Sequence, residues 1–186
     1  PLQGGGQCRA SLDSQRFSQS SLIMKFIDTH HDQWHTVGGE DGPQSHPPIK
    51  SHSLLTLGQW HAVREGWPAD KPVGVIVAND VDIETLEADA AKLALVVLNF
   101  PKWTDGRAYT QAHILRKRYR FGGEIRATGD VLVDMMSLLH RTGFDAVALR
   151  GDQDRAAAER ALGFFAARGH YQGDVQVTKP VFSRAV

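Results

Sequence analysis

Three arginines and two aspartates in the second half of the chain are placed where they could hold a small anion and move its protons. Asp105 and Arg107 stand in "FPKWTDGR", Arg126 and Asp130 in "GEIRATGD", and Arg150 opens "RGDQD". Each of these stretches follows or ends a short apolar run, where a strand would give way to a helix. A guanidinium at such a junction offers paired N–H donors to an oxyanion, and the first-turn amides of the helix can add to them. Arg107, Arg126 and Arg150 are therefore candidate ligand-binding residues, with Thr104, Gly106 and Gly129 as the small loop residues beside them. Asp105 and Asp130 are the candidate catalytic residues, able to orient the arginines or to transfer protons. Asn79, Asp80 and Asp152 belong to loops at the same edge.

A structural account competes at each position. "TDG" is turn sequence, and Asp130 suits a helix cap. Arg126 shares one strand face with Glu124 and Thr128 in a strand that should be nearly all apolar. A charge buried there must be paired, reach solvent or meet a ligand. The basic run "RKRYR", with Arg116, Lys117, Arg118 and Arg120, reads as a solvated helix face. His30, His31 and His35 lie in a polar segment with no fixed carboxylate partner, so no metal site is assigned, and His140 reads as a surface or capping residue. Phosphate-loop, dinucleotide and nucleophile-elbow motifs are absent from the sequence.

The elements that would position these residues alternate from residue 73 onward. "VGVIVA", "ALVVLN", "GEIRATG" and "DAVALR" read as strands. After them come helical stripes on Ile83, Leu86, Ala90 and Leu93; on Ala108, Ala112, Leu115 and Tyr119; on Val131, Met135, Leu138 and Leu139, stopped at Gly143; and over about 152–167. "DVQVT" and "PVFSR" could add an edge strand. Four consecutive β-α units form a small parallel sheet, half-barrel-like if strand order follows sequence and doubly wound if it does not. The expected division is a tail over 1–23, an N-terminal arm with a short helix over 24–72, and a parallel α/β domain over 73–186. A homodimer is expected to seal the sheet face that the helices leave open.

The 21 basic and 21 acidic residues cancel, so no long-range attraction draws a polyanion, and nucleic acid is not expected as a partner. Apolar runs are too short for a membrane span, which points to a cytoplasmic protein. A single cysteine, Cys8, cannot build a disulfide or a cysteine metal cluster within the chain. Any redox chemistry would borrow a cofactor, whose identity is unknown.

The stretch "LALVVLNFPKWTDGRAYTQAHILRKRYRFGGEIRATGDVLVDMMSLLHRTGFDAVALR", with "DQW", "LLTLGQW" and "KPVFSR", resembles a bacterial family of unknown biochemical function. Its members are labelled oxidoreductases of assimilatory sulfite reduction, and the likeness covers residues 24 to 186. Many members carry a cysteine where Thr142 stands, so a thiol there is not shared chemistry. The resemblance implies an accessory protein of sulfite reduction, with sulfite reductase subunits as partners and a small oxyanion or adenylated sulfur compound as ligand. The alternative is a non-catalytic module that docks on the reductase through the basic helix 108–120.

Overall fold

The computed structural model describes residues 24–28, 30–38 and 46–163. Seven strands form one sheet: β1 (Lys25–Phe26), β2 (His35–Thr36), β3 (Ser53–Thr56), β4 (Val73–Val77), β5 (Leu95–Phe100), β6 (Glu124–Gly129) and β7 (Ala146–Val147). Their order is β1-β7-β6-β5-β4-β3-β2, and every neighbouring pair is parallel. From β2 to β7 the order follows sequence, as in half of a barrel. Right-handed crossovers that all step the same way must place their helices on one face. The helices α1 (Leu57–Val63), α2 (Arg107–Lys117), α3 (Met136–Thr142) and α4 (Arg155–Gly163) do lie together there. Trp60, Ala112, Leu115, Met136, Leu139 and Ala158 share one buried cluster with Val75, Leu98, Ile125 and Val147 of the strands.

Several expectations change. The stripe after β4 is buried as its spacing requires, at Ile83, Leu86, Ala90 and Leu93, yet it folds as two 3₁₀ turns, Ile83–Leu86 and Ala90–Lys92. The bend between them turns Asp89 inward, where its carboxylate accepts N–H groups from Trp60 (3.1 Å) and Arg64 (2.9 Å). A buried carboxylate must find such donors, and α1 supplies them. The segment expected to be an arm supplies β1, β2, β3 and α1, so the sheet runs across residue 72. Thr56 ends β3 and caps α1 in a reciprocal pair with Gln59, which is why no loop separates them.

The inner face of the sheet carries Leu54, Leu95 and Val97, with Trp34 and Ile76 packed against them. It is tight: a Cβ on Gly74 would lie 3.0 Å from the Leu54 side chain and 3.1 Å from that of Leu95. The chain passes from β1, at one edge, to β2, at the other, across this face. Trp34 closes one end of the crossing and sets its ring edge-on to His52. Leu95 and Val97 are buried within the single chain, so the apolar face from which a dimer was expected is already covered.

Arg126 also lies on this inner face, and its side chain is 5% exposed. Its guanidinium binds Asp32 from the crossing segment and donates from Nε and Nη2 to Glu124 Oε1, at 3.1 and 2.9 Å. Lys25 holds the other oxygen of Glu124 at 3.0 Å. The basic face of α2 is likewise only partly solvated. Arg116, expected on that face, is 13% exposed and donates to the carbonyls of Gly143, Phe121 and Gly123 and to Asp145. Arg118 pairs with Glu84 across the surface. The helix beyond Gly163 and the "DVQVT" and "PVFSR" strands lie outside the described residues, as does the 1–23 tail.

Removing Asp32 strips the buried guanidinium of one of its two carboxylates. Asp32→Ala should lower stability by about 3 kcal/mol in urea denaturation. Adding Arg126→Met should recover most of the loss, because an apolar side chain needs no partner. A double variant no more stable than the single one would show that Asp32 acts through something other than Arg126.

Candidate functional site

Every strand of a parallel sheet points its carboxyl end to the same rim, where the loops into the helices gather. Three loops build the candidate site: 78–82 after β4, 101–106 after β5, and 148–154 after β7, with Asp130 directly following β6.

Asp105 organises the first cluster. Its backbone N–H closes a turn on Lys102, and its Oδ1 accepts the backbone N–H of Arg107 at 3.2 Å, capping α2 where Gly106 has no side chain to do so. The same carboxylate takes Arg107 Nε at 3.0 Å and Nη2 at 2.7 Å, a paired contact. Asn79, which is buried, adds its Nδ2 at 2.6 Å. The Asn79 loop is itself fixed from α2, where Gln111 Nε2 donates to the carbonyls of Ala78 and Val81 at 2.9 and 2.8 Å.

Asp130 organises the second. Gly129 holds φ at +93°, and a Cβ there would fall 2.3 Å from the Phe100 carbonyl, so only glycine lets β6 end so close to β5. The next residue is thereby aimed across the rim. Asp130 Oδ2 accepts the backbone N–H of Trp103 at 2.9 Å, and Oδ1 accepts Arg150 Nη1 at 2.6 Å. Arg150 gives Nε and Nη2 to Asp152, at 2.6 and 2.7 Å. The loop 101–106 therefore hangs between the two clusters, tied by Asp105 at one end and by Asp130 through Trp103 at the other.

Of the expected site residues, Asp105 and Arg107 meet in one cluster, Asp130 and Arg150 in the other, and Thr104 and Gly106 are exposed on the loop between. Arg126 does not join them. Its position in β6 lies three residues before the strand's end, on the inner face, and Asp32 and Glu124 hold its guanidinium there. Gly106 needs no special backbone, since its added Cβ would make only an ordinary 3.7 Å contact with Tyr109. Asp152 was noted only as a member of the edge, yet it forms the paired contact with Arg150; its signal was the i, i+2 spacing to an arginine in a Gly-containing loop. Trp103 went unremarked, and its signal was a large aromatic in an otherwise polar loop.

Asp80, Asp82 and Asp154 join the paired aspartates on these loops, with Lys102, Arg107 and Arg150, and Arg160 lies 3.8 Å from Asp154. Asp82 and Asp154 cap the turns that follow them. Among the described residues no three His, Cys, Asp or Glu side chains gather as metal ligands, and no helix is long and apolar enough to cross a membrane.

The fold and rim define an α/β protein of a parallel, half-barrel sheet with an arginine–aspartate edge. A family model described as a bacterial protein of unknown function, DUF934, matches residues 74–182, and the chain belongs to that family. No curated protein matches the chain. The family description names no pathway, so a link to sulfite reduction rests on the sequence resemblance.

The carboxylates are held in their charged form. The Arg107 guanidinium, then its backbone N–H, brings Asp105 down to about 2 from 3.8, and Arg150 does the same for Asp152. Asp130 is lowered by the Trp103 N–H and by Arg150. Because each folded value lies below the unfolded one, the pairs favour the folded chain above about pH 4 and lose that contribution as pH falls toward 2. Carbon-detected NMR should place the Asp105 and Asp152 midpoints near 2. Midpoints near 4 would mean that the pairs do not persist in solution.

Proposed function

We propose that the rim is a binding site for a small oxyanion or an adenylated sulfur compound, and that the protein acts as an accessory to assimilatory sulfite reduction. The observation that carries the reading is the state of Arg107. Its guanidinium is 58% exposed at the carboxyl edge of the sheet, and its pairing with Asp105 uses two of five N–H donors. The remaining donors can take a second oxyanion while Asp105 and Asn79 hold the group in place. Arg150, anchored by Asp130 and Asp152, supplies the second charge. Arg126 serves the sheet and is not part of this reading.

Asp105 and Asp130 act here as orienting groups. A carboxylate held well below its ordinary range is a poor proton acceptor near neutral pH, so binding is a better use of this rim than general base catalysis. The pathway is drawn from the sequence resemblance, and sulfite reductase subunits are the partners it suggests. Docking on them through α2 has less support. Arg116 and Arg118, the charges it would use, already serve partners within the chain.

Calorimetric titration with sulfite, sulfate and phosphoadenylyl sulfate is the direct trial. At least one should bind. Arg107→Ala should abolish that binding while leaving the urea midpoint nearly unchanged, as for an exposed side chain. The variant should also fail to restore growth on sulfate to a strain lacking the protein. Absence of binding by all three compounds would end this reading.

A further inference from the structure

Trp103 stands apart from the other tryptophans. Trp34 packs edge-on against His52, and Trp60 against Trp67, whereas Trp103 has no ring or cation contact among the described residues and is 55% exposed. Its backbone is nonetheless fixed, because Asp130 holds its N–H and Arg150 holds Asp130. An indole of this size left in water at a tethered position, on the same loop as Asp105, is a platform with an open face.

The pairing of charges at the rim says what such a platform would add. Each guanidinium at the rim is already paired with an aspartate, so a bare oxyanion gains only the donors that are left. Stacking needs none of those donors. A ligand with a planar ring beside its anionic group could use both contacts.

Resting on the anion-binding reading above, we infer that the ligand is a small nucleotide, its base stacked on Trp103 and its phosphate or sulfate group on Arg107. Trp103 is then the residue that favours a nucleotide over a free oxyanion.

The test titrates the full chain with adenosine monophosphate and with sodium sulfate, both dianions at neutral pH, so that a difference between them reads the ring. The monophosphate should bind at least about tenfold more tightly than sulfate. Trp103→Ala should lose about tenfold or more for the monophosphate with sulfate affinity unchanged, and Trp103→Phe should keep most of it. Far-ultraviolet circular dichroism checks that both variants are folded. Equal binding of the monophosphate by Trp103→Ala and the wild type would overturn the inference, as would sulfate binding as tightly as the monophosphate. Arg107-dependent sulfate binding would in those cases leave the anion reading standing. Failure of both compounds to bind would overturn the inference, while the anion reading is decided by the titrations with sulfite and phosphoadenylyl sulfate. A single-stranded oligoadenylate that bound more tightly than the monophosphate would overturn the assignment to a small nucleotide.

Discussion

A guanidinium buried on the inner face of a parallel sheet is the constraint around which this chain is arranged. Both faces of such a sheet normally carry apolar residues, and Arg126 breaks that rule in β6, beside β5 in the middle of the sheet. It is tolerable only with carboxylates at hand, one from its own strand, Glu124, and one from far away in sequence, Asp32. The second requirement brings the segment between β1 and β2 across the face, and Trp34, on the same segment, covers the apolar half. The Arg126–Asp32 pair thus ties β6 to the segment that closes the sheet.

The crossing also fixes where the edges fall. With β1 beside β7 and β2 beside β3, both outer strands of the central sheet have a neighbour, and the carboxyl rim faces outward as one surface. That rim is ordered by polar contacts in sequence: Gln111 fixes the Asn79 loop, Asn79 and Arg107 hold Asp105, and Asp130 ties the loop between them to Arg150. Each side chain in the series is oriented by the one before it. A site assembled in this way is prepared before any ligand arrives, which lowers the ordering cost of binding.

Much of the fold was legible because periodicity reports burial directly. The strands beginning at Val73, Leu95 and Glu124, the stripe of α2, and the stop of α3 at Gly143 all followed from apolar spacing and one left-handed glycine. The turn after β4 was misread as a helix because a stripe at i, i+3 and i+7 fits a helix and also a pair of 3₁₀ turns. What decided between them was Asp89 meeting Trp60 and Arg64, a contact between distant residues. The short strands β1 and β2 carry no alternation to read, and their pairing depends on backbone bonds that composition does not encode. The rim was half legible: the carboxyl-edge rule located Asp105, Arg107, Asp130 and Arg150, but not which carboxylate each arginine would take. Arg126 was expected at the rim and lies instead buried on the inner face, a depth that its spacing does not report.

The difference between Arg107 and Arg116 shows how position on one helix decides what an arginine does. Both are in α2, and both make paired contacts with an aspartate or with carbonyls. Arg116, near the end of the helix, donates to the carbonyls of Phe121, Gly123 and Gly143, and burial lowers its pKa. A ligand could reach it only by unmaking the link between α2, β6 and the turn after α3. Arg107, at the first turn, answers to one carboxylate on its own loop, and Asp105 raises its pKa. Its remaining donors can take another oxyanion with the Asp105 contact kept and the core untouched, so affinity gained at Arg107 need not be offset by unfolding elsewhere.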